Sequence, residues 1–282
     1  MIPGDAVLSA FINTNILIIV AYLLWWATRV VLNRTSQRNS FVMQLRLLNM
    51  VFVAIVLSPF AVLGLSVLQN SGHAQGLKLN LSDIVVAYYL NGGIEMQATQ
   101  FERLINLRDT FTNNVVNAAG WVAWTVIATF LFSMTVGVLR LFYSVFCLRQ
   151  IVSTSYAWRR FGRVNLYLSD RTLVPFSTRG LRNYYVVFPA HMLGERQELK
   201  VSLAHEFQHL RQGDIGWEIV LEALKPLFFL NPAFHAWKRQ VEHLRELSCD
   251  AEILRRGRIN VEEYCETLLS VCQQSLRKDR LF

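Results

Sequence analysis

The chain has 282 residues, of which 53% are hydrophobic and only 17% are charged, whereas soluble domains average about 25% charged residues. The shortage of charge lies in residues 1–147, which contain 8 lysines and arginines and 5 acidic residues, against 20 and 15 in residues 148–282. This uneven distribution excludes both a uniform soluble globule and a disordered chain. It predicts a membrane domain at 1–147 and a soluble domain at 148–282.

Three long runs without charge lie in the first half, at Ala6–Thr28, Leu47–Leu68 and Thr110–Leu139. Each exceeds the roughly 20 residues that a helix needs to cross a bilayer's hydrocarbon core. Tryptophans lie within or near the ends of the first and third runs, where interfacial indoles are common. The predicted transmembrane helices are about 6–31, 46–68 and 117–141, with an outer loop at 69–116 between the second and the third.

Basic residues accumulate on one side of these runs. The link between the first two runs carries four arginines and no acid, and five more arginines follow the third run before the first acid, Asp170. The loop at 69–116 instead has slightly more acidic than basic residues. The positive-inside rule therefore predicts that the N-terminus and this loop lie outside, and that residues after the third run lie in the cytoplasm.

The pI of about 9.6 does not indicate nucleic-acid binding. Many of the arginines stand where membrane topology requires them, and no nucleic-acid-binding motif accompanies them. We therefore predict no direct contact with nucleic acid. The four cysteines all lie at or beyond the predicted cytoplasmic end of the third run and include no CxxC pair, which predicts reduced thiols.

The second half begins with short β-rich runs at Val164–Leu168, Thr172–Val174 and Tyr184–Phe188, which predict a small sheet of three strands. Four helices are predicted after it, at about 195–212, 215–230, 232–256 and 261–277. Gly213 ends the first, Asp214 is the expected N-cap of the second, and Pro226 is expected to kink it. Asn231-Pro232 is a strong start signal for the third.

The strongest motif is His205-Glu206-Phe207-Gln208-His209, an HExxH sequence in the first of these four helices. Two histidines four residues apart project from one helix face, close enough to bind one metal ion. The glutamate beside the first histidine can then act on water at that metal. The motif predicts a metal site of the hydrolytic kind, which needs a third protein ligand and one position open to water.

Carboxylates on later helices are the candidates for this third ligand, because no third histidine follows at short spacing. Glu242, Glu246 and Asp250 form a stripe at intervals of four residues on one predicted helix. Helical geometry favours Glu246, while Glu218 and Glu222 on the preceding helix remain open. The alternative interpretation of the stripe is a solvated face that pairs with neighbouring lysines and arginines, and it stays open for Glu242.

His205–His209 followed by Glu246-Leu247-Ser248-Cys249-Asp250 resembles the M56 family of membrane zinc peptidases, the BlaR1/MecR1 type. Gly213-Asp214 after the motif, Asn231-Pro232, and Val187-Phe188-Pro189 before the motif are also similar. The resemblance covers about residues 140–270 closely and the three preceding runs more loosely. It implies three membrane helices followed by a cytoplasmic α+β domain of the gluzincin-like zinc metalloprotease class.

The resemblance also implies the roles of individual residues. His205, His209 and Glu246 would bind one Zn²⁺ per chain, and Glu206 would be the general base of peptide hydrolysis. Asp250, one turn beyond Glu246, would orient a ligand histidine.

The implied function is that of an integral-membrane zinc endopeptidase in the bacterial plasma membrane, in contact with the lipid bilayer. Its partner would be a protein substrate, for which a transcriptional repressor cleaved in regulated signalling is the family's example, and the enzyme could act as a homodimer. Receptors of this type carry a fourth span and an extracellular penicillin-binding sensor domain. The sequence ends at Phe282 without either, so we expect a peptidase that lacks this sensor.

Two other functions compete with a signalling peptidase. An HtpX-like housekeeping protease would degrade misfolded membrane proteins without a trigger. A non-enzymatic membrane receptor with structural zinc or none would have no need for Glu206.

The strand before the motif helix is the predicted substrate-binding element. Tyr184, Tyr185, Val186 and Val187 are expected to form an edge strand that pairs with an extended substrate. His235, His243 and Tyr264 are equal candidates for stabilising the tetrahedral intermediate.

Overall fold

The computed structural model describes residues 4–32, 34–35, 39–70, 98–180, 182–257 and 259–279. These residues are mostly helical, with one small mixed sheet. In chain order the elements are α1 Gly4–Leu32, α2 Phe41–Asn70, α3 Ala98–Val116, α4 Gly120–Thr154, β1 Tyr156–Phe161, β2 Val164–Ser169, β3 Phe176–Arg179, β4 Tyr184–Pro189, a 3-10 turn Ala190–Leu193, α5 Arg196–Gln212, α6 Asp214–Leu224, α7 Pro232–Arg255 and α8 Val261–Asp279.

Three of the described helices are long and apolar enough to cross a membrane, as the sequence predicts. They cover Ala10–Leu32, Phe41–Val62 and Gly120–Thr154. Their exposed surfaces carry large apolar side chains such as Leu24 and Phe132, and lipid is the solvent that such surfaces require. These helices indicate a membrane protein.

The segment between α2 and α4 differs from the predicted outer loop. Residues 71–97 of that loop lie outside the described residues, but Ala98–Val116 forms α3. This helix is rich in polar and charged residues, among them Glu102, Arg103 and Asn106. It lacks the long apolar run by which the membrane helices were predicted, and for this reason it was missed.

The described residues divide into two compact units, and the first contains those that fall within 1–38, 46–135 and 228–237. Within it, the start of α7 packs among the apolar helices: Phe52 of α2 lies 6.1 Å from Phe234 and 6.2 Å from Trp237, between ring centroids. Asn231 caps α7, since its Oδ1 accepts the backbone N–H of Ala233 at 3.0 Å. The same side chain donates from Nδ2 to Oδ1 of Asn15 at 2.9 Å. The predicted start of this helix is confirmed.

The second unit contains the described residues within 39–45, 136–227 and 238–282, and the sheet belongs to it. Its strand order is β1-β2-β4-β3, with β2 parallel to β4 and the other neighbours antiparallel. The predicted strands at 164–168 and 184–188 are confirmed. The third was misplaced, because Thr172–Val174 lies in the turn before Pro175 and the strand begins at Phe176. The strand β1 was missed, since its exposed arginines looked like the flank of a membrane span.

The order of the strands also corrects the prediction of an edge strand at Tyr184, Tyr185, Val186 and Val187. These residues belong to β4, which pairs with β2 on one side and β3 on the other. Both rows of its backbone groups are therefore occupied. The edge on this side of the sheet is β3.

The helix α5 is held between two apolar clusters of the second unit. On one side, Leu203, Phe207 and Leu210 pack against a cluster of sheet residues that includes Phe188. On the other side, Val201 packs with Tyr264 and other residues of α7 and α8. Burial on both faces fixes the rotation of α5 about its axis, and with it the direction of the two motif histidines.

The helix α6 is shorter than predicted. It ends at Leu224, and residues 225–230 form turns. The kinked helix that was expected to continue through Pro226 is therefore not seen in the described stretch 182–257. A proline lacks the N–H that a helix interior needs and disfavours helical backbone in the residue before it. Pro226 instead packs closely against α4. A Cβ atom added to Gly137 of that helix would lie only 2.8 Å from the Cα atom of Pro226.

Candidate metal centre

The two motif histidines and Glu246 converge on one point. Nε2 of His205 lies 3.0 Å from Nε2 of His209. The Oε2 atom of Glu246 lies 3.3 Å from the first of these nitrogens and 3.6 Å from the second. Tetrahedral zinc with ligands at about 2.0–2.1 Å places its ligand atoms roughly 3.3 Å apart. The three side chains therefore fit a zinc ion.

The other ring nitrogen of His209 is held by Asp214. Nδ1 of His209 lies 2.8 Å from Oδ2 of Asp214, and both residues are buried. In the neutral ring, an Nδ1–H that donates to this carboxylate leaves Nε2 with a free lone pair for a metal. Asp214 is the first residue of α6, and the prediction that it caps this helix was wrong, because the N-cap residue is Gly213.

The chain reaches this arrangement through Gly213. This glycine ends α5 in the left-handed conformation with φ 77°, which L-residues with a Cβ rarely adopt. The reversal brings the next residue back beside the last turn of α5. The acid directly after the helix-ending glycine is visible in the sequence, whereas its burial beside His209 is a property of the tertiary structure.

His205 is held in a similar way by two residues. Its Nδ1 lies 3.0 Å from the hydroxyl of Tyr264 and 3.4 Å from Oδ1 of Asp250. The Tyr264 hydroxyl donates to Asp250 at 2.6 Å, so its oxygen is left to accept from Nδ1–H. Burial, followed by the hydrogen bond to Asp250, raises the pKa of Tyr264, which keeps its proton in place.

Cys249 is a neighbour of this centre for which no role was predicted. It is fully buried, with Sγ 3.7 Å from Nδ1 of His205, and it lies close enough to His205 and His209 to share a metal ion with them. The thiol lies on the Nδ1 side of His205, which Tyr264 and Asp250 also occupy. Glu246 instead faces the two Nε2 atoms.

The remaining carboxylates that were candidate ligands form ion pairs with Lys238 and Arg245. Lys238 contacts Glu218 at 3.2 Å, Glu222 at 3.0 Å, and also Glu242. Arg245 donates to Glu218 at 2.6 Å. These ion pairs form a network next to the centre, and they favour Glu246 over the other three acids as the third ligand.

Glu206 lines the same cavity as the three candidate ligands, and the cavity has a volume of about 890 Å³. Burial raises the pKa of Glu206, although a hydrogen bond from Ser177 and the charges of His205 and His209 oppose this rise. A carboxylate with a raised pKa is better suited to accept and return a proton near neutral pH. Ser177 belongs to β3, so the edge strand itself contacts the candidate base.

The residues proposed from sequence for stabilising the intermediate do not line this cavity. Tyr264 lies behind His205, and Nε2 of His235 lies 2.7 Å from the backbone oxygen of Phe229 in the first compact unit. His243 is exposed on α7. None of the three is among the residues that form the cavity wall in the described part of the chain.

The chain combines a helix with HExxH, a carboxylate on a second helix and three long apolar helices. Together these features define a membrane protein of the metallopeptidase class. The chain belongs to the BlaR1 peptidase M56 family, whose sequence pattern it matches over residues 9–280. No curated protein matches the chain. Family membership indicates a membrane metallopeptidase that acts on protein substrates.

The proton bound by His209 gives a first testable prediction. Burial lowers the pKa of His209, but hydrogen bonds with Asp214, Cys249 and Glu246 outweigh it and raise this pKa to about 11. In the metal-free protein His209 is therefore protonated at pH 7, and this protonated form is lost only as the pH rises through about 11. Because zinc requires the neutral ring, binding at pH 7 should release protons.

Calorimetry in two buffers of different ionisation enthalpy measures this release. The apparent zinc affinity should rise about tenfold per pH unit for each displaced proton between pH 6 and 8. An affinity that is independent of pH over this interval would contradict the assignment of His209 as a ligand.

The contact of Asp214 with His209 gives a second prediction. Asp214→Ala should weaken zinc binding about 10–100-fold, because a ligand histidine loses the acceptor that fixes its tautomer. Asp170→Ala, which removes an exposed acid after β2, is the matched control and should leave affinity unchanged. Competition with a zinc chelator measures both variants, and equal affinities in the two would contradict the role of Asp214.

Proposed function

We propose that this protein is an integral-membrane zinc endopeptidase with a gluzincin-like catalytic domain. It hydrolyses peptide bonds of a cytoplasmic or membrane-proximal protein in regulated signalling, as in the BlaR1-like cleavage of a repressor. The observation that carries the proposal is the convergence of His205, His209 and Glu246 at zinc-ligand distances in the cavity that Glu206 lines.

In the proposed reaction, different residues of the chain have different roles. Zinc, when bound, acts as a Lewis acid toward a carbonyl oxygen and acidifies a water molecule. Glu206 accepts the proton of the attacking water and then donates it to the leaving amine. His205 and His209 hold Nε2 toward the metal because Tyr264, Asp250 and Asp214 occupy the Nδ1 sides.

The substrate, in this proposal, lies beside β3 as an additional strand. The residues Phe176, Ser177 and Thr178 line the cavity, and β3 has a strand partner on one side, β4. An extended peptide on the other side would gain main-chain hydrogen bonds. The contact of Ser177 with Glu206 brings this edge next to the base.

The proposed topology has three spans, with the N-terminus outside and the catalytic residues in the cytoplasm of a bacterial cell. The arginine-rich links at both predicted cytoplasmic faces support it. Measurement of the oligomeric state in detergent tests whether the acting unit is a homodimer.

The function is tested by comparing the protein N-termini of cells that produce the wild-type protein with those of cells that produce Glu206→Gln. A small set of new N-termini that requires Glu206 supports a signalling peptidase, and a repressor among the substrates supports the finer proposal. Broad cleavage of unfolded membrane proteins would support the housekeeping alternative. No Glu206-dependent cleavage, together with full cellular function of Glu206→Gln, would indicate the non-enzymatic receptor.

A further inference from the structure

One wall of the catalytic cavity is formed by the third membrane helix. Leu141, Ser144, Val145 and Leu148 of α4 line the cavity together with Phe142. The first four recur at intervals of three and four residues, and therefore form one face of the helix. The walls opposite come from α5, α6 and β3, which carry the motif histidines, Glu218 and Ser177.

The position of these residues along α4 places the cavity at the surface of a bilayer. The helix has 35 residues and is about 52 Å long, whereas the hydrocarbon core needs about 20 residues or 30 Å. A span that begins near Gly120 therefore leaves the core near Arg140. The cavity-lining face lies between Arg140 and Arg149, the two charged residues of α4, which corresponds to the depth of the lipid headgroups.

The rim of the cavity is apolar and exposed on two of its sides. Phe142 lines the cavity and is 69% exposed, and Ile219 of α6 lines it and is 46% exposed. Tyr143 and Phe146, next to Phe142, are also exposed. Tyrosine is typical of the membrane interface, and the exposed phenylalanines on either side of Tyr143 extend the lipid-facing apolar surface of α4 to the rim of the cavity.

We propose that the cavity takes a juxtamembrane segment, the stretch of a membrane-anchored protein that directly follows its transmembrane helix. This inference rests on the proposed peptidase function. Of the two substrate classes named there, it selects the membrane-proximal protein over a soluble repressor. Such a segment reaches the rim without leaving the interface, and its apolar side chains pass from lipid to Phe142 and Ile219 without crossing water. The cavity-lining part of α4 is about 10 Å long, which an extended chain covers with three or four residues. The scissile bond therefore lies within about ten residues of the substrate's last membrane-embedded residue.

Three reporters test this substrate class in liposomes of phosphatidylcholine and phosphatidylglycerol that contain the full-length zinc-loaded protein. Each carries the same unstructured casein segment: one is joined to a single transmembrane helix by about 5 residues, one by about 40, and one is soluble. Both anchored reporters are confined to the same membrane as the enzyme. A difference between their cleavage rates therefore reports the distance of the casein segment from the bilayer, and not the effect of confinement to the membrane. We expect the short linker to be cleaved at least about tenfold faster than the long one.

The outcomes separate this inference from the function on which it rests. Equal cleavage at both linker lengths, or faster cleavage of the soluble reporter, overturns the juxtamembrane substrate and leaves the peptidase function intact. A soluble substrate such as a free repressor would then be favoured. No difference between wild type and Glu206→Gln on any of the three reporters overturns the peptidase function, and the substrate class falls with it.

Two matched variants of α4 test the role of the rim. Phe142 and Phe146 lie one turn apart and are 69% and 64% exposed, but of the two Phe142 alone lines the cavity. Phe142→Ala should slow cleavage of the short-linker reporter about tenfold, as expected for the loss of an aromatic contact surface. Phe146→Ala should leave the rate within about twofold. Equal rates in the two variants, with zinc content unchanged, would contradict the proposed path of the substrate.

Discussion

Glu246→Ala is expected to lose zinc, whereas Cys249→Ala is expected to keep it. Oε2 of Glu246 lies within 3.6 Å of both Nε2 atoms, while the thiol of Cys249 approaches Nδ1 of His205. Tyr264 and Asp250 already contact this Nδ1 atom, so a ligand role for Cys249 through His205 Nδ1 would compete with both contacts. Loss of a residue that hydrogen-bonds to a ligand typically weakens metal binding about 10–100-fold. Loss of the ligand itself should weaken zinc binding more, by roughly 1,000-fold.

Zinc titration and cobalt substitution measure this difference independently of any substrate. Cobalt bound by Glu246 lacks the thiolate charge-transfer band that Cys249 would produce. Glu242→Ala is the matched control, since Glu242 lies one turn earlier on α7 and pairs with Lys238. A thiolate band in the wild type, or zinc loss in Cys249→Ala with retention in Glu246→Ala, would make Cys249 the third ligand.

Glu206→Gln should abolish hydrolysis while zinc stays bound. The amide keeps the size of the side chain but cannot accept and return a proton, so the rate should fall about 100- to 10,000-fold. Because Glu206 is not one of the three candidate ligands, zinc content should remain near one ion per chain. The measurement is the cleavage rate of unfolded casein beside metal analysis of the same sample.

A variant of Ser177, which contacts Glu206, provides a second test of Glu206 as the base. Ser177→Ala removes the hydrogen bond to Glu206 and should raise the pKa of the base, so that the acid limb of the pH–rate profile moves toward higher pH. A Glu206→Gln variant that retains the wild-type rate would exclude Glu206 as the general base.

The periodic and compositional features of this protein could be predicted from its sequence. Long uncharged runs mark helices that can cross a bilayer, because hydrocarbon does not tolerate unpaired polar groups. His205 and His209 share a helix face wherever that helix packs, and Asn231-Pro232 starts a helix by local hydrogen bonding alone. These features depend on neighbours within a few residues.

Contacts that depend on how the elements pack were decided by the tertiary structure. Asp214 looks like an N-cap in the sequence, and only the reversal at Gly213 together with burial turns it toward His209. Tyr264 lies 59 residues from His205, and no local pattern predicts their contact. The edge position of β3 likewise follows from strand order, since sequence periodicity gives a strand its faces but not its neighbours.

The sequence by itself thus determined the apolar helices, the HExxH helix and the family. The packing of α5 between two apolar clusters decided which carboxylate meets the histidines and which strand borders them. Helix formation is governed by local hydrogen bonds and side-chain periodicity, whereas a site assembled from α5, α7 and β3 depends on the burial of surfaces that are far apart in the chain.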